Sequence, residues 1–232
     1  MPEYYPLMLD VRCRKALVIG GDRIAAEKAR ALSACGARVT VLATDFCPEL
    51  LAMQDRDEVV LHARAYKPGD LAGAFVVVAA TNDPELIEAI WSETQQRGQL
   101  VNIVDVPDRC SFIVPSVLRR GPLTIAVSTG GTNPSLAKRI RQSLETTFPP
   151  VYGDYLRLAA VVRGYLRRQG ISYDRRDAFF GEFYQSEILE LLAAGDEQAA
   201  LNVTLELLRP YQVELPLATL AEDWQAGKVR VA

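Results

Sequence analysis

Ala16-Leu17-Val18-Ile19-Gly20-Gly21-Asp22-Arg23-Ile24-Ala25 is the stretch on which the reading of this chain turns. Four apolar residues in a row read as a buried parallel strand. The run breaks at two glycines, and Ile24, Ala25, Ala29, Leu32 and Cys35 then recur at the spacing of one helix face. Strand, glycine turn and helix open a dinucleotide-binding unit. In such a unit the first glycine makes the tight turn, and the helix N-terminus offers unpaired N–H groups to a pyrophosphate. Against G-x-G-x-x-G/A, Gly20 takes the first place and Ala25 the last, but the middle glycine is replaced by Asp22. A carboxylate beside a pyrophosphate is unfavourable unless it turns away. Gly20, Gly21, Asp22, Arg23 and Ile24 are the candidate cofactor-binding residues of this turn.

Working outward, a second strand is expected over 37–42, launched from the Gly36 that ends the first helix. Many dinucleotide folds close this strand with an acidic residue that holds the ribose 2′-hydroxyl. Here Ala43-Thr44 hold that place and Asp45 follows, so Thr44 and Asp45 are the candidate ribose contacts. With no basic pair at the strand end, they lean the cofactor towards NAD. A short helix over 48–54 leads to a strand over 59–63, which carries the single histidine, His62. The continuous run Phe75 to Ala80 suits a central strand covered on both faces. Thr81-Asn82-Asp83-Pro84 is polar turn chemistry that also caps a helix over 85–97. The last strand of the set spans 100–104 and is closed by Asp105. Strands alternating with helices predict an α/β, Rossmann-like, doubly wound parallel sheet.

After Asp105 the pattern changes. Phe112 to Val117 and Leu123 to Val127 read as an antiparallel hairpin joined by Leu118-Arg119-Arg120-Gly121-Pro122. A loop, Ser128 to Pro134, enters a helix over 135–147, and Pro149-Pro150 mark a boundary. From Tyr152 onward the chain reads as helical, with Gly195-Asp196 as stop and cap. The expected organisation is a dinucleotide-binding domain over 1–111, a small β-hairpin and helix segment over 112–149, and a helical domain over 150–232.

With 232 residues and a net charge of −3, the chain can bury a large core and lacks the basic excess of a general nucleic-acid or anionic-membrane binder. The longest apolar runs are far too short to span a bilayer. Met1-Pro2-Glu3-Tyr4-Tyr5 has no signal-like character, so a cytoplasmic location is expected. Cys13, Cys35, Cys47 and Cys110 form no C-x-x-C pair and are expected to be reduced and partly buried. No Cys/His cluster suggests a resident metal.

Val101-Asn102-Ile103-Val104-Asp105, Ser111-Phe112-Ile113-Val114-Pro115-Ser116 and Gly121 to Pro134 closely resemble the siroheme-synthase dehydrogenase family. Its members are precorrin-2 dehydrogenases, some of them also sirohydrochlorin ferrochelatases. Gly20-Gly21, Ile24-Ala25, Lys28 and the Ala79 to Asp83 turn fit the same family. The resemblance covers residues 5 to 148 and extends through the helices to about residue 208. It implies a Rossmann domain, a central segment used for homodimerisation and a helical C-terminal domain. It also implies NAD as cofactor, precorrin-2 as substrate and sirohydrochlorin as product, with Fe²⁺ a further substrate in bifunctional members.

Asp105 matches the family's catalytic aspartate. At the C-terminal end of the last parallel strand it is also placed to accept a proton as hydride leaves. The resemblance adds Thr81, Asn102, Ile103 and Val104 as cofactor neighbours. Ser128, Thr129, Gly130, Gly131 and Thr132, with Lys138 and Arg141 on the following helix, are the candidate substrate contacts, an expected anion site for a polycarboxylate macrocycle. Two other readings stand beside this one: a dinucleotide-binding redox sensor without turnover, and a tetrapyrrole-binding chelatase whose cofactor site is impaired by Asp22.

Overall fold

The computed structural model describes residues 3–229. They fall into two compact units: residues up to Val114 together with Gly130–Thr132, and Pro115–Thr129 together with the chain from Asn133 onward.

The first unit holds a five-stranded parallel sheet. Its strands are β1 (Lys15–Ile19), β2 (Arg38–Ala43), β3 (Val60–Ala63), β4 (Val76–Ala79) and β5 (Leu100–Ile103), in the spatial order β3-β2-β1-β4-β5. Helices α1 (Arg23–Ala34), α2 (Pro48–Asp55) and α3 (Pro84–Arg97) make the crossovers. Two separate apolar clusters result. Ala16, Val18, Val39, Val41, Val76 and Val78 face one side with Ala25, Ala26 and Ala29 of α1. Leu17, Ile19, Leu42, Val77, Ala79, Val101 and Ile103 face the other side with Ile90 of α3. Burial on both faces explains why β1 and β4 read as unbroken apolar runs. β3 is the exception: as an edge strand it leaves Val60, His62 and Ala63 exposed.

The caps follow the sequence signals. Asp83 accepts from the N–H of Glu85 and of Leu86 ahead of Pro84, and Gly98 ends α3 in the left-handed region. The chain reverses direction across β1, leaving towards β2 and β3 and returning through β4. That switch point is where a doubly wound sheet opens a ligand crevice at its C-terminal edge.

The second unit begins with a two-stranded antiparallel sheet, β6 (Ser116–Arg120) and β7 (Leu123–Val127), followed by α4 (Pro134–Thr147). The hairpin differs from the sequence expectation. Phe112 to Val114 form no strand, and Phe112 packs instead into the first unit's core. Leu118, Arg119 and Arg120 are strand residues, and Arg120 pairs directly with Leu123. The turn is therefore only Gly121-Pro122. Gly121 has φ +55°, and proline must follow at negative φ, which is the glycine-first primed turn suited to the twist of a tight hairpin. Among the described residues five α-helices follow: α5 (Val151–Arg168), α6 (Tyr173–Gln185), α7 (Ile188–Ala193), α8 (Glu197–Leu208) and α9 (Leu217–Val229). Phe179, Phe183, Leu158, Leu166 and Trp224 are fully buried among them. Asp196 caps α8 through Ala199 N–H at 2.9 Å, directly after Gly195. Among the described residues no helix is long and apolar enough to cross a membrane.

Candidate functional site

A cavity of about 760 Å³ opens at the C-terminal edge of the parallel sheet. Gly20, Gly21 and Asp22 line it from the first turn, Thr44 and Asp45 from the end of β2, and Thr81 from the end of β4. Six of the eleven sequence-predicted cofactor residues therefore meet in one place.

The turn is built by close approach. A Cβ on Gly20 would lie 2.4 Å from the carbonyl oxygen of Ala80, and one on Gly21 would lie 1.8 Å from that of Asp45. Gly20 N–H donates to Leu42 O at 2.9 Å, and Cys47 N–H donates to Gly21 O at 2.7 Å. These contacts clamp the glycine turn between the ends of β2 and β4. Asp22 does turn away: its Oδ1 accepts from Ala25 N–H at 2.8 Å, capping α1. The N–H groups of Asp22, Arg23 and Ile24 have no acceptor among the described residues. A row of unpaired N–H groups at the start of a helix fits a dinucleotide pyrophosphate.

The side chains of Arg23 and Ile24 do not line the cavity. Arg23 is 86% exposed and its Nε sits 3.1 Å from Glu49 Oε1. At the ribose position Thr44 Oγ1 donates to Asp45 Oδ2 at 3.1 Å.

Asn102, Ile103 and Val104 do not line the cavity either. Ile103 is 1% exposed within the core. The Asn102 amide donates to Phe112 O at 3.0 Å. Val104 N–H donates to Ala79 O at 2.9 Å, which extends the sheet by one bond beyond β5. Asp105 comes next, exposed and with φ +61°, a left-handed conformation that aspartate tolerates better than most residues. Such strain is a pointer to function when the surroundings enforce it. Here they do. Cys110 Sγ accepts from Ile103 N–H at 3.1 Å and donates within 3.3 Å of Val106 O, while Ser111 Oγ accepts from Val101 N–H at 2.8 Å. The chain after Asp105 thus folds back along β5. Burial pushes the Cys110 thiol pKa up, keeping it a neutral packing group. Asp105 is not a lining residue of the cavity.

Of the cysteines, Cys13 is exposed, contrary to the expectation of partial burial, because it sits at the left-handed turn before β1. None of the four is disulfide-bonded.

In the loop ahead of α4, Gly130 and Gly131 both have positive φ, Thr129 Oγ1 accepts from Asn133 N–H at 3.1 Å, and Asn133 Oδ1 caps Leu136 N–H at 2.9 Å. Lys138 is exposed on α4. Arg141 is ion-paired with Glu145 one turn on, so its charge is partly neutralised.

The sequence reading missed Ala65, Tyr66 and Leu86 as cavity residues. Tyr66 lies in the irregular connection between β3 and β4, where no periodic pattern marks which side chains face inward.

Residues 7–116 match the family described as putative NAD(P)-binding, and residues 120–147 match that described as sirohaem biosynthesis protein central. The siroheme synthase of Methylobacillus flagellatus is 37% identical over 206 residues, covering 89% of this chain and 44% of that protein. That of Ectopseudomonas mendocina is 38% identical over 206 residues, with the same coverage of 89% and 44%. The chain thus spans under half the length of these curated relatives. The solved structure of SirC, a precorrin-2 dehydrogenase, superposes with a TM-score of 0.72 at 25% identity, over 90% of this chain and 99% of that one. A nicotinamide dinucleotide is the cofactor these matches support. Two consecutive family segments, relatives matched over 89% of the chain and a fold shared over 90% of it lead to one conclusion: the chain carries a putative NAD(P)-binding segment followed by a sirohaem-biosynthesis central segment, and it is similar to the siroheme synthases over nearly all of its length.

Proposed function

We propose that this chain is an NAD-dependent precorrin-2 dehydrogenase, oxidising precorrin-2 to sirohydrochlorin. The observation that carries the reading is the clamped glycine turn with its unpaired N–H groups, set in a fold shared over 90% of the chain with a precorrin-2 dehydrogenase. The conversion removes one hydride and one proton from the macrocycle, and bound NAD⁺ supplies the hydride acceptor.

The chain's own residues do the rest. N–H groups of Asp22, Arg23 and Ile24 hold the pyrophosphate. Asp45, beside Thr44, accepts from a free ribose 2′-hydroxyl and repels a 2′-phosphate, and the nearby Arg23 is engaged by Glu49. These features favour NAD over NADP. Asp105, held at the end of β5, accepts the departing proton on its carboxylate. Gly130, Gly131 and the hydroxyls of Ser128, Thr129 and Thr132 bind the macrocycle's carboxylates, with Lys138 and Arg141 adding positive charge.

Fe²⁺ insertion belongs to the same reading as a second activity. Among the described residues no group of three or more His, Cys, Asp or Glu could hold a metal ion. In this reading iron passes to the macrocycle's own nitrogens, with Asp105 taking the two displaced pyrrole protons one after the other and releasing each to solvent.

Residues 112–149 are read as a dimerisation segment, as part of a division into 1–111, 112–149 and 150–232. Among the described residues neither outer edge of the β6-β7 ribbon has a partner strand, and Leu136 and Ile140 on α4 are 46% and 40% exposed. A homodimer would cover these edges and this apolar face. Cys13, Cys47 and Cys110, none of them in a disulfide, suit a reducing compartment, the cytoplasm.

The test is kinetic. Asp105→Ala should lower dehydrogenation by about 10²–10⁴-fold while NAD⁺ binding survives. Asp105→Asn retains an acceptor but no useful base, so near-normal turnover in that variant would remove proton transfer from the role.

A further inference from the structure

Glu93 is a buried carboxylate with no part in the chemistry above. It sits on α3, 9% exposed, and accepts three hydrogen bonds. Its donors are the Tyr66 hydroxyl at 2.5 Å, Gly69 N–H at 2.8 Å and Arg97 Nε at 2.8 Å. Two of these donors belong to the β3–β4 connection, which has no regular structure of its own. Burial would push the Glu93 carboxyl up, but Tyr66, Gly69 and Arg97 together hold it below the ordinary glutamate value. Burial and the Glu93 carboxylate in turn raise Tyr66 well above the usual phenol range. Tyr66 therefore stays protonated and tethered to α3, and it is one of the residues that line the dinucleotide cavity.

The sheet order shows which half of the cavity this is. β2 and β3 lie on one side of β1, and β4 and β5 on the other. Tyr66 follows β3, so it stands on the side where Thr44 and Asp45 end β2. A ligand whose pyrophosphate rests on the turn at Gly20 and whose ribose meets Asp45 must carry its base further in that direction. Leu42 near the end of β2 and Ala65 and Tyr66 after β3 line the cavity from that half. We propose that Tyr66 is the surface on which the adenine of the dinucleotide packs, and that Glu93 is the positioning residue that fixes the ring before the ligand arrives. The proposal rests on the dinucleotide reading of the cavity. Without the tether an aromatic side chain on an irregular segment would have to be ordered on binding, which lowers affinity.

Isothermal titration of ADP and of inorganic pyrophosphate into the full-length protein separates base from phosphate. Tyr66→Leu keeps apolar bulk but loses the flat face, and should weaken ADP about ten-fold or more, the scale of one lost base–aromatic contact. Tyr66→Phe and Glu93→Gln keep the ring but loosen or lose the tether, and should weaken ADP about two- to five-fold, the scale of one modest hydrogen bond. Pyrophosphate binding should stay at the wild-type level in all three variants, which also shows that the turn is folded. Unchanged ADP affinity in all three would overturn the proposal while leaving the dinucleotide reading intact. Parallel loss of ADP and pyrophosphate would overturn it too, reducing the cluster to a structural brace. A wild-type protein that takes neither ADP nor NAD⁺ would overturn the dinucleotide reading and the proposal together.

Discussion

Gly21→Ala is the sharpest perturbation the turn offers. The added methyl would sit 1.8 Å from the Asp45 carbonyl oxygen and 3.0 Å from the Ala43 Cβ. The first of these neighbours is backbone and cannot rotate away, so the β2–α2 connection must move by more than an ångström. That movement stretches the bond from Cys47 N–H to Gly21 O, now 2.7 Å. Overpacking costs about 1–3 kcal/mol and the weakened hydrogen bond about 1 more, a total of about 2–4 kcal/mol. The melting temperature of the first unit should fall by about 10 °C. Because Asp45 is both the group that is struck and the proposed ribose contact, NAD⁺ affinity should fall by more than about ten-fold as well. Gly181→Ala on α6 is the matched control: nothing lies within 4 Å of its added methyl, and a helical glycine replaced by alanine should gain about 0.5–1 kcal/mol. Calorimetric melting and NAD⁺ titration read both effects. Wild-type stability and affinity in Gly21→Ala would refute the close approach from which the cofactor site is argued.

Asp22→Ala should cost about 1 kcal/mol by removing the α1 cap, read by chemical denaturation. Asp22→Gly should cost only a few tenths and tighten NAD⁺ about two- to five-fold by removing a carboxylate near the pyrophosphate; weaker binding would mean that Asp22 contributes to the site as well as to the helix. Glu93 is held below its ordinary value, so its contribution is complete above the unfolded-state pKa and is lost as pH falls through the folded value. Acid titration of stability should therefore show a loss below about pH 4 that Glu93→Gln flattens. Sedimentation at micromolar concentration should show a dimer, and Ile140→Asp on the exposed face of α4 should shift it to monomer; a wild-type monomer would contradict the dimerisation role.

The parallel sheet was legible because burial on both faces imposes a plain pattern. Leu17, Val18, Val77 and Val78 have no polar face to show. Asp22 was legible in part: its displacement of the usual glycine was plain, and its bond to Ala25 N–H explains how a carboxylate is accommodated there. The hairpin register was harder. Phe112 to Val114 look as strand-like as Ser116 to Arg120, and only the two-residue turn and the pull of Phe112 into the first core decide between them. Tyr66 and Glu93 were out of reach. They lie 27 residues apart; Tyr66 belongs to no periodic run, and nothing in the helix pattern around Glu93 marks it as the partner of a distant tyrosine.

The most direct measurement is anaerobic incubation of the purified protein with precorrin-2 and NAD⁺, followed by absorbance. Sirohydrochlorin and NADH should appear together in equal amounts, and omission of NAD⁺ should abolish both. Saturable NAD⁺ binding with precorrin-2 left unchanged would contradict the dehydrogenase assignment and favour a dinucleotide-sensing domain.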